Sequence, residues 1–172
     1  MQLNRRSALS AGAGLLALGC VLGILGGGVW ALVRPAYIGV VEGGGLRVDQ
    51  AESPANAEFA GFGSFALLTT LAGVVVAAVA LFAAQRGKVR GSVAWLVWAG
   101  IVSAVAGVAL YIFGGWFVGL MHPLPSPDAL AEGDTLTMVP PVRPGVAWAA
   151  GPFAAVLVYW TANLLAYTRQ ER

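Results

Sequence analysis

The residue types that most often carry chemistry are scarce in this chain. One cysteine, Cys20, and one histidine, His122, occur among 172 residues. A disulfide or a Cys-x-x-Cys redox pair needs two cysteines, and a bis-histidine haem or a zinc site with several imidazoles needs more than one histidine. We therefore expect no catalytic residue of these classes, no metal ligands and no cofactor.

Carboxylates are the remaining candidates for chemistry. Paired carboxylate catalysis needs two side chains about 5–10 Å apart around a substrate, and a calcium loop needs closely spaced oxygen ligands with a glycine at the turn. Asp128, Glu132 and Asp134 are close in sequence but do not match the calcium pattern. We expect these carboxylates to form a solvated acidic surface. A membrane enzyme that uses them is the third functional hypothesis, after the two given at the end of this section. Seven carboxylates lie in segments 34–58 and 122–144: Glu42, Asp49, Glu52, Glu58, Asp128, Glu132 and Asp134.

The composition excludes a soluble domain, because 58% of the residues are hydrophobic and 10% are charged, whereas soluble domains have about 25% charged residues. Four apolar segments contain no Asp, Glu, Lys or Arg: about 7–33, 59–85, 91–121 and 145–168. Each is longer than the roughly 20 residues that cross a hydrocarbon core. They show no alternation of period two, so we predict transmembrane helices. The expected fold is an all-α membrane protein, with one membrane domain over residues 1–172 containing a four-helix bundle.

The first apolar segment has an alternative interpretation as a signal peptide. Asn4-Arg5-Arg6 precedes the apolar run, and Ala17-Leu18-Gly19-Cys20 resembles a lipoprotein cleavage box. That box usually has Leu, Val or Ile at the position of Ala17, and the apolar sequence continues 13 residues beyond Cys20. We therefore expect an uncleaved helix in which Cys20 is a small buried hydrophobic residue.

The distribution of charge predicts the orientation in the membrane. The termini and the 86–90 turn together carry +6, whereas segments 34–58 and 122–144 carry −4. The positive-inside rule then places both termini in the cytoplasm. Nine of the ten basic residues are arginine, a bias that we take to indicate a high-GC bacterium and hence a bacterial plasma membrane. Arg86, Lys88 and Arg90 are predicted to set topology and to contact anionic lipid, and the short cytoplasmic segments leave no room for a nucleotide or nucleic-acid site.

Tryptophans are expected to mark the two membrane interfaces. Trp95 and Trp116 are 21 residues apart in one segment, which corresponds to about 30 Å of helix and matches one hydrocarbon core. Tryptophan is enriched at the level of the lipid headgroups. The predicted interface anchors are Trp30, Trp95, Trp116 and Trp148.

Regularly spaced glycines predict close packing between helices. Small residues drive helix association in lipid, because apolar area alone does not. The sequence leaves open whether the contacts are internal or made to another subunit. The candidates lie at steps of four in the first segment and of seven in the third: Gly19, Gly23 and Gly27, then Gly100, Gly107 and Gly114.

The two loops predicted to be outside contain strand patterns. Residues 37–41 and 46–48 flank Gly43-Gly44-Gly45, a strand–turn–strand pattern, and 135–139 is a third candidate strand. We predict that the outer loops 34–58 and 122–144 form a small extracytoplasmic β cap over the bundle.

The order of these features resembles an actinobacterial family of four-helix integral membrane proteins of unknown function. The resemblance covers most of the chain and implies a multi-pass membrane protein, but no catalytic residue can be carried over from it. It is carried by Trp30-Ala31-Leu32 before Pro35, Gly39-Val40-Val41, Gly45-Leu46-Arg47-Val48, Glu58-Phe59, a later proline-rich loop and Val158-Tyr159.

The predicted function follows mainly from exclusion. Ion-coupled transporters normally carry ionisable groups within the membrane, and these four segments contain none between their ends. We predict a non-enzymatic accessory subunit that contacts membrane partners and lipids through its glycine-lined faces and acidic loops. The specific assembly that we predict for this subunit, by analogy, is a respiratory supercomplex. The alternative is a small transporter or a lipid- or envelope-handling protein whose path is lined by polar residues: Thr69, Thr70, Ser103, Thr161 and Asn163.

Overall fold

A computed structural model describes residues 2–86, 92–123, 125–126 and 130–170. It contains four long helices in the predicted segments, α1 (Gln2–Val33), α2 (Ala57–Gln85), α3 (Val93–Met121) and α4 (Ala150–Gln170), and a 3-10 turn (Gly145–Ala149) leads into α4. All four, the last together with the 3-10 turn before it, are long and apolar enough to span a membrane. The predicted four-helix membrane bundle is therefore confirmed, and a multi-pass membrane protein is its natural interpretation.

Local sequence explains where the helices begin and end. Helix α1 ends at Val33, because Pro35 disfavours helical backbone at the residue before it. Helix α3 begins after Ser92, whose hydroxyl accepts a hydrogen bond from the Trp95 amide at 3.3 Å, the usual role of serine at a helix N-terminus. These two boundaries therefore have local chemical causes.

The helices alternate in direction through the bundle. The Trp98 indole donates to the Gly12 carbonyl at 3.2 Å near one end, and Gly27 lies against Gly114 near the other, so α1 and α3 are parallel. Helices α2 and α4 run the opposite way. Helix α1 packs mainly on α3, and helix α4 packs mainly on α2. Helices α2 and α3 also contact each other. We call the end where α1 and α3 finish the loop end, and the end where α1 begins the terminal end.

A three-stranded antiparallel sheet is formed by the two loops at the loop end. Strands β1 (Tyr37–Glu42), β2 (Gly45–Val48) and β3 (Thr135–Met138) lie in the order β2-β1-β3. The turn between β1 and β2 consists of Gly43 and Gly44, with φ of +61° and +73°, a conformation that glycine adopts without strain. The predicted β cap is confirmed in its strands and its position over one end of the bundle.

The buried residues form two clusters along the bundle. At the loop end, aromatic and apolar side chains from α1, α2 and α3 meet the segment before α4: Trp30, Phe65, Leu110, Val142 and Ala147. The second cluster, nearer the terminal end, is built mostly from small residues: Leu15, Val76, Ala77, Ala80, Ala99, Val102, Ala155 and Tyr159. Small residues bring the helix backbones together there, whereas large aromatic residues fill the wider loop end.

Candidate functional site

The glycines of α1 lie directly against α3 within the same chain. A Cβ atom added to Gly23 would lie 2.6 Å from the Ala106 carbonyl oxygen, and one added to Gly27 would lie 2.8 Å from the Gly114 amide nitrogen. Gly19 faces Val102 in the same way, at 2.6 Å from a side-chain methyl carbon. These distances are shorter than real Cβ contacts, so this helix pair requires glycine for its close approach.

The three predicted packing glycines of α3 face three different helices. A Cβ atom on Gly114 would lie 2.4 Å from the Trp30 ring of α1, and one on Gly100 would lie 3.1 Å from Val156 of α4. Gly107 faces Thr69 of α2 at 3.6 Å, an ordinary contact distance. All six predicted packing glycines thus face neighbouring helices of their own chain, and a partner would have to meet another surface.

Trp30 is not an interface anchor, contrary to the prediction from sequence. Its side chain is 1% exposed, and its indole N–H donates to the Gly61 carbonyl of α2 at 2.9 Å. Because Gly114 has no side chain, the Trp30 ring fits between helices instead of facing lipid. The residue is a core element whose polar N–H is satisfied by backbone.

The other three predicted anchors lie at or near the surface. Trp116 is 57% exposed and Trp148 is 37% exposed, as contact with an interface requires. Trp95 is partly buried, and its indole N–H donates to the Ala80 carbonyl at 3.2 Å. It therefore joins α3 to α2 as well as lying near the terminal end.

An aromatic cluster that sequence analysis did not identify surrounds Trp30. Phe65 contacts the rings of Trp30 and Trp148 edge-on, with centroids 5.3 Å apart in both pairs, and Tyr111 lies 5.3 Å from Trp148. The four residues come from α1, α2, α3 and the 3-10 turn. No regular spacing in the sequence connects them, because the cluster is created by the packing of separate elements.

Arg34 connects this cluster to the loop before α4. Its guanidinium lies 4.4 Å from the centroid of Trp30, and Nη2 donates a hydrogen bond to the Pro140 carbonyl. Desolvation by burial lowers the pKa of Arg34 below its usual value, although an arginine stays charged. The single ion pair within the described residues joins Arg47 to Glu42, so Arg34 is held there by an aromatic face and a carbonyl instead of a carboxylate.

Replacing Arg34 with lysine is expected to loosen residues 135–147. Lysine keeps the charge but loses the planar group that contacts both Trp30 and Pro140. A hydrogen bond from a charged donor contributes about 1.5–3 kcal/mol, so hydrogen–deuterium exchange of a peptide covering this loop is expected to increase. Arg143→Lys is the matched control, because Arg143 is an exposed arginine in the same loop. Equal exchange in the two variants would contradict the role given to Arg34.

Most carboxylates of the described loops bind backbone or side-chain groups within the cap and its turns. Glu132 accepts from the Gly43 amide at 2.6 Å, and Glu42 pairs with Arg47 at 2.9 Å. Asp49 and Asp134 accept from the amides of Ala51 and Ala131. No three His, Cys, Asp or Glu residues of the described part of the chain are grouped as metal ligands. Asp128 lies outside the described residues.

Within the part of the chain that the structure describes, strand β2 has no strand partner on its outer side and forms a free backbone edge of the cap. The register pairs Val41 with Leu46 and Gly39 with Val48. Val41 directs its N–H to Asp134 on the β3 side and accepts there from Gly133. Since hydrogen-bonded and non-hydrogen-bonded pairs alternate in an antiparallel ladder, the N–H and C=O groups of Leu46 and Val48 point away from β1, toward the free edge.

One face of the cap sheet is apolar and only partly covered. Leu46 is 40% exposed and Val48 is 38% exposed. The opposite face carries the exposed Glu42–Arg47 ion pair and borders a groove of about 760 Å³. The side chains that share the apolar face by the strand register are Tyr37, Val41, Leu46, Val48, Leu136 and Met138.

The basic residue Arg86 lies at the terminal end, where the sequence places it. Its guanidinium lies 4.0 Å from the centroid of Phe82, one turn earlier on α2. It borders a cleft of about 350 Å³ between α1 and α2. Lys88 and Arg90, predicted to act with it, lie outside the described residues.

Comparison with protein-family profiles, with curated proteins and with solved structures gives no match to this chain. Its candidate sites therefore rest on its own geometry. They are the free edge of β2 at the loop end and the cleft beside Arg86 at the terminal end.

Proposed function

We propose that this chain is a non-enzymatic accessory subunit of a larger plasma-membrane assembly, bound through the free edge of β2. One observation carries this proposal: β2 directs the backbone groups of Leu46 and Val48 outward and leaves their apolar side chains exposed. An extended segment of a partner protein adds to such an edge through main-chain hydrogen bonds, and apolar contacts on alternate residues give specificity.

The chemistry of β2 favours a partner over a solvent-facing edge. Soluble proteins protect edge strands with lysine, proline, bulges or inward-facing charges. Strand β2 has the sequence Gly-Leu-Arg-Val, and its one charged residue, Arg47, is paired with Glu42 at 2.9 Å. The ion pair removes the net charge that would discourage strand addition, so the edge is suited to pairing.

The polar residues within the bundle support a scaffold more than a transporter. Thr69 and Thr70 donate to the carbonyls of Phe65 and Ala66 one turn earlier. Asn163 likewise donates to the Tyr159 carbonyl at 2.7 Å. These three side chains are bonded within their own helices, which is how polar side chains are accommodated in a packed bundle. The buried Ser103 hydroxyl, in contrast, has no hydrogen-bond partner in the described part of the chain.

The orientation of the chain in the membrane is proposed from its charge distribution, and the identity of the assembly is proposed by analogy. The positive charge of the termini and the 86–90 turn supports a cytoplasmic location for that end, which puts β2 outside the cytoplasm. A respiratory supercomplex is the assembly we propose, by analogy with small multi-helix subunits that need no redox residues of their own. The resemblance to actinobacterial four-helix membrane proteins agrees with this location but assigns no partner.

Proline at position 48 is expected to release the partner while leaving the hairpin intact. Val48→Pro removes an outward N–H that takes no part in the β1–β2 ladder. The control is Thr137→Pro, because the register leaves the Thr137 N–H pointing outward at the opposite edge, on β3. Tagged wild-type protein is purified from native membranes in mild detergent, and bound subunits are identified and quantified by mass spectrometry.

The wild type and Thr137→Pro are expected to retain a stoichiometric partner protein, and Val48→Pro is expected to lose it. If the assembly is respiratory, cytochrome subunits are expected among the bound proteins. Retention of the partner by Val48→Pro would overturn the role of the β2 edge. Purification of the wild type without any stoichiometric protein, even after crosslinking in intact membranes, would overturn the subunit proposal itself.

A further inference from the structure

We infer that the α1–α2 cleft at the terminal end binds an anionic phospholipid, with the phosphate at Arg86 and an acyl chain along the helices. The cleft has a volume of about 350 Å³ and combines a polar rim with an apolar interior. We call the polar lining residues, Ser7, Ser10 and Arg86, the rim, and the apolar lining residues, Leu15, Val79, Phe82 and Trp95, the interior.

The rim has the donors that a phosphate needs. The Arg86 guanidinium is held 4.0 Å from the Phe82 ring centroid, so its position is restrained by its own helix while the side chain stays exposed. A guanidinium donates two parallel hydrogen bonds to a phosphate group. On the facing helix, Ser10 borders the same cleft and has a hydroxyl that can donate to a phosphate, with Ser7 beside it in the lining.

Charge complementarity favours an anion from outside the chain. Every carboxylate in the described part of the chain lies in the loops or strands of the loop end or at the start of α2: Glu42, Asp49, Glu52, Glu58, Glu132 and Asp134. Within the described residues, Arg86 therefore has no carboxylate partner at its own end of the bundle. An anionic lipid headgroup is a partner of complementary charge.

The interior of the cleft favours a lipid over a free phosphate ion. On α1 the lining runs from Ser7 to Leu15, which corresponds to about 12 Å along the helix axis, enough for the upper part of an acyl chain. Gly14 belongs to this lining, and a Cβ atom added there would meet nothing within 4 Å. The groove is thus open beside α1, where an acyl chain can lie between the two helices.

The experiment measures lipid binding to the intact protein by native mass spectrometry from detergent. The probes are phosphatidylglycerol and phosphatidylcholine, each titrated alone, with inorganic phosphate as a competitor. We expect phosphatidylglycerol to bind the wild type at one site and at least tenfold more tightly than phosphatidylcholine. Arg86→Gln is expected to lower this affinity about tenfold or more, as loss of a charge-assisted contact implies.

Two further variants separate the site from general electrostatic attraction. Arg6→Gln removes an exposed positive charge from the same end of the bundle but not from the cleft lining, so we expect wild-type binding. Gly14→Leu keeps every charge and places a side chain in the open groove, so it is expected to lower lipid affinity without lowering thermal stability.

Three results would overturn the inference. One is equal affinity of the wild type for the two phospholipids. Another is an equal decrease of phosphatidylglycerol affinity in Arg6→Gln and Arg86→Gln. The third is full displacement of the lipid by millimolar inorganic phosphate, together with unchanged binding in Gly14→Leu. That combination would assign the cleft to a small anion instead.

Discussion

Trp30→Ala is expected to lower the stability of the bundle by about 3–5 kcal/mol, the usual range for removing a buried tryptophan. The ring is 1% exposed and fills the space that Gly114 leaves between α1 and α3. Its removal also leaves the Gly61 carbonyl without its indole donor and removes the ring on which Arg34 rests. No lipid or water can refill this space without rearrangement, because it is enclosed by three helices and the loop before α4.

The measurement is the midpoint of thermal unfolding in detergent, followed by far-ultraviolet circular dichroism. For a chain of this size each kcal/mol corresponds to roughly 2–4 °C, so the midpoint is expected to fall by about 6–20 °C. Trp116→Ala is the control, because that ring is 57% exposed and its loss leaves no enclosed cavity. Similar shifts in the two variants would show that Trp30 is not the core residue described above.

Gly73→Ala is expected to destabilise the contact between α2 and α4 by about 1–3 kcal/mol or more, as overpacking does in close-packed interiors. The added Cβ would lie 2.2 Å from the Gly151 carbonyl oxygen and 3.0 Å from the Gly151 carbonyl carbon. These are backbone atoms, which cannot move aside by a change of rotamer. The two helices would have to separate, and the small-residue cluster of Ala77 and Ala155 beside them would lose contact.

The matched control is Gly63→Ala, on the same helix. A Cβ atom at Gly63 would have no heavy atom within 4 Å, and alanine is the better helix former. Thermal midpoints in detergent are expected to fall for Gly73→Ala and to stay level or rise for Gly63→Ala. A decrease of equal size in both variants would mean that glycine acts through helix propensity at these positions, and the close α2–α4 approach would be contradicted.

Much of the architecture could be predicted from composition and local pattern. The apolar segments are long enough to cross a bilayer and contain no charge, and in lipid a backbone must be helical or closed into a barrel. The strand–turn–strand pattern at Gly43-Gly44-Gly45 was equally local, because two consecutive residues with positive φ require glycine. Both signals act over short distances along the chain, so they can be identified without knowledge of the tertiary fold.

Trp30 shows why the candidate sites were harder to predict than the helices. In a soluble helix the apolar face identifies the core, whereas a membrane helix is apolar all round and lipid is as apolar as the protein interior. Trp30 and Trp116 both lie near the ends of apolar segments, yet one is enclosed and the other exposed. The difference depends on Gly114, which belongs to another helix.

The sequence by itself determined the number of helices, the cap strands and the scarcity of groups that could do chemistry, because each depends on residue type and short-range spacing. Only the tertiary structure decided that the glycines of α1 face α3, that Gly73 meets Gly151, and that Arg86 borders a cleft with Ser7 and Ser10. These relations depend on the rotation and axial register of one helix against another. In lipid that register is set by the shape of the contacting side chains, which no single segment contains.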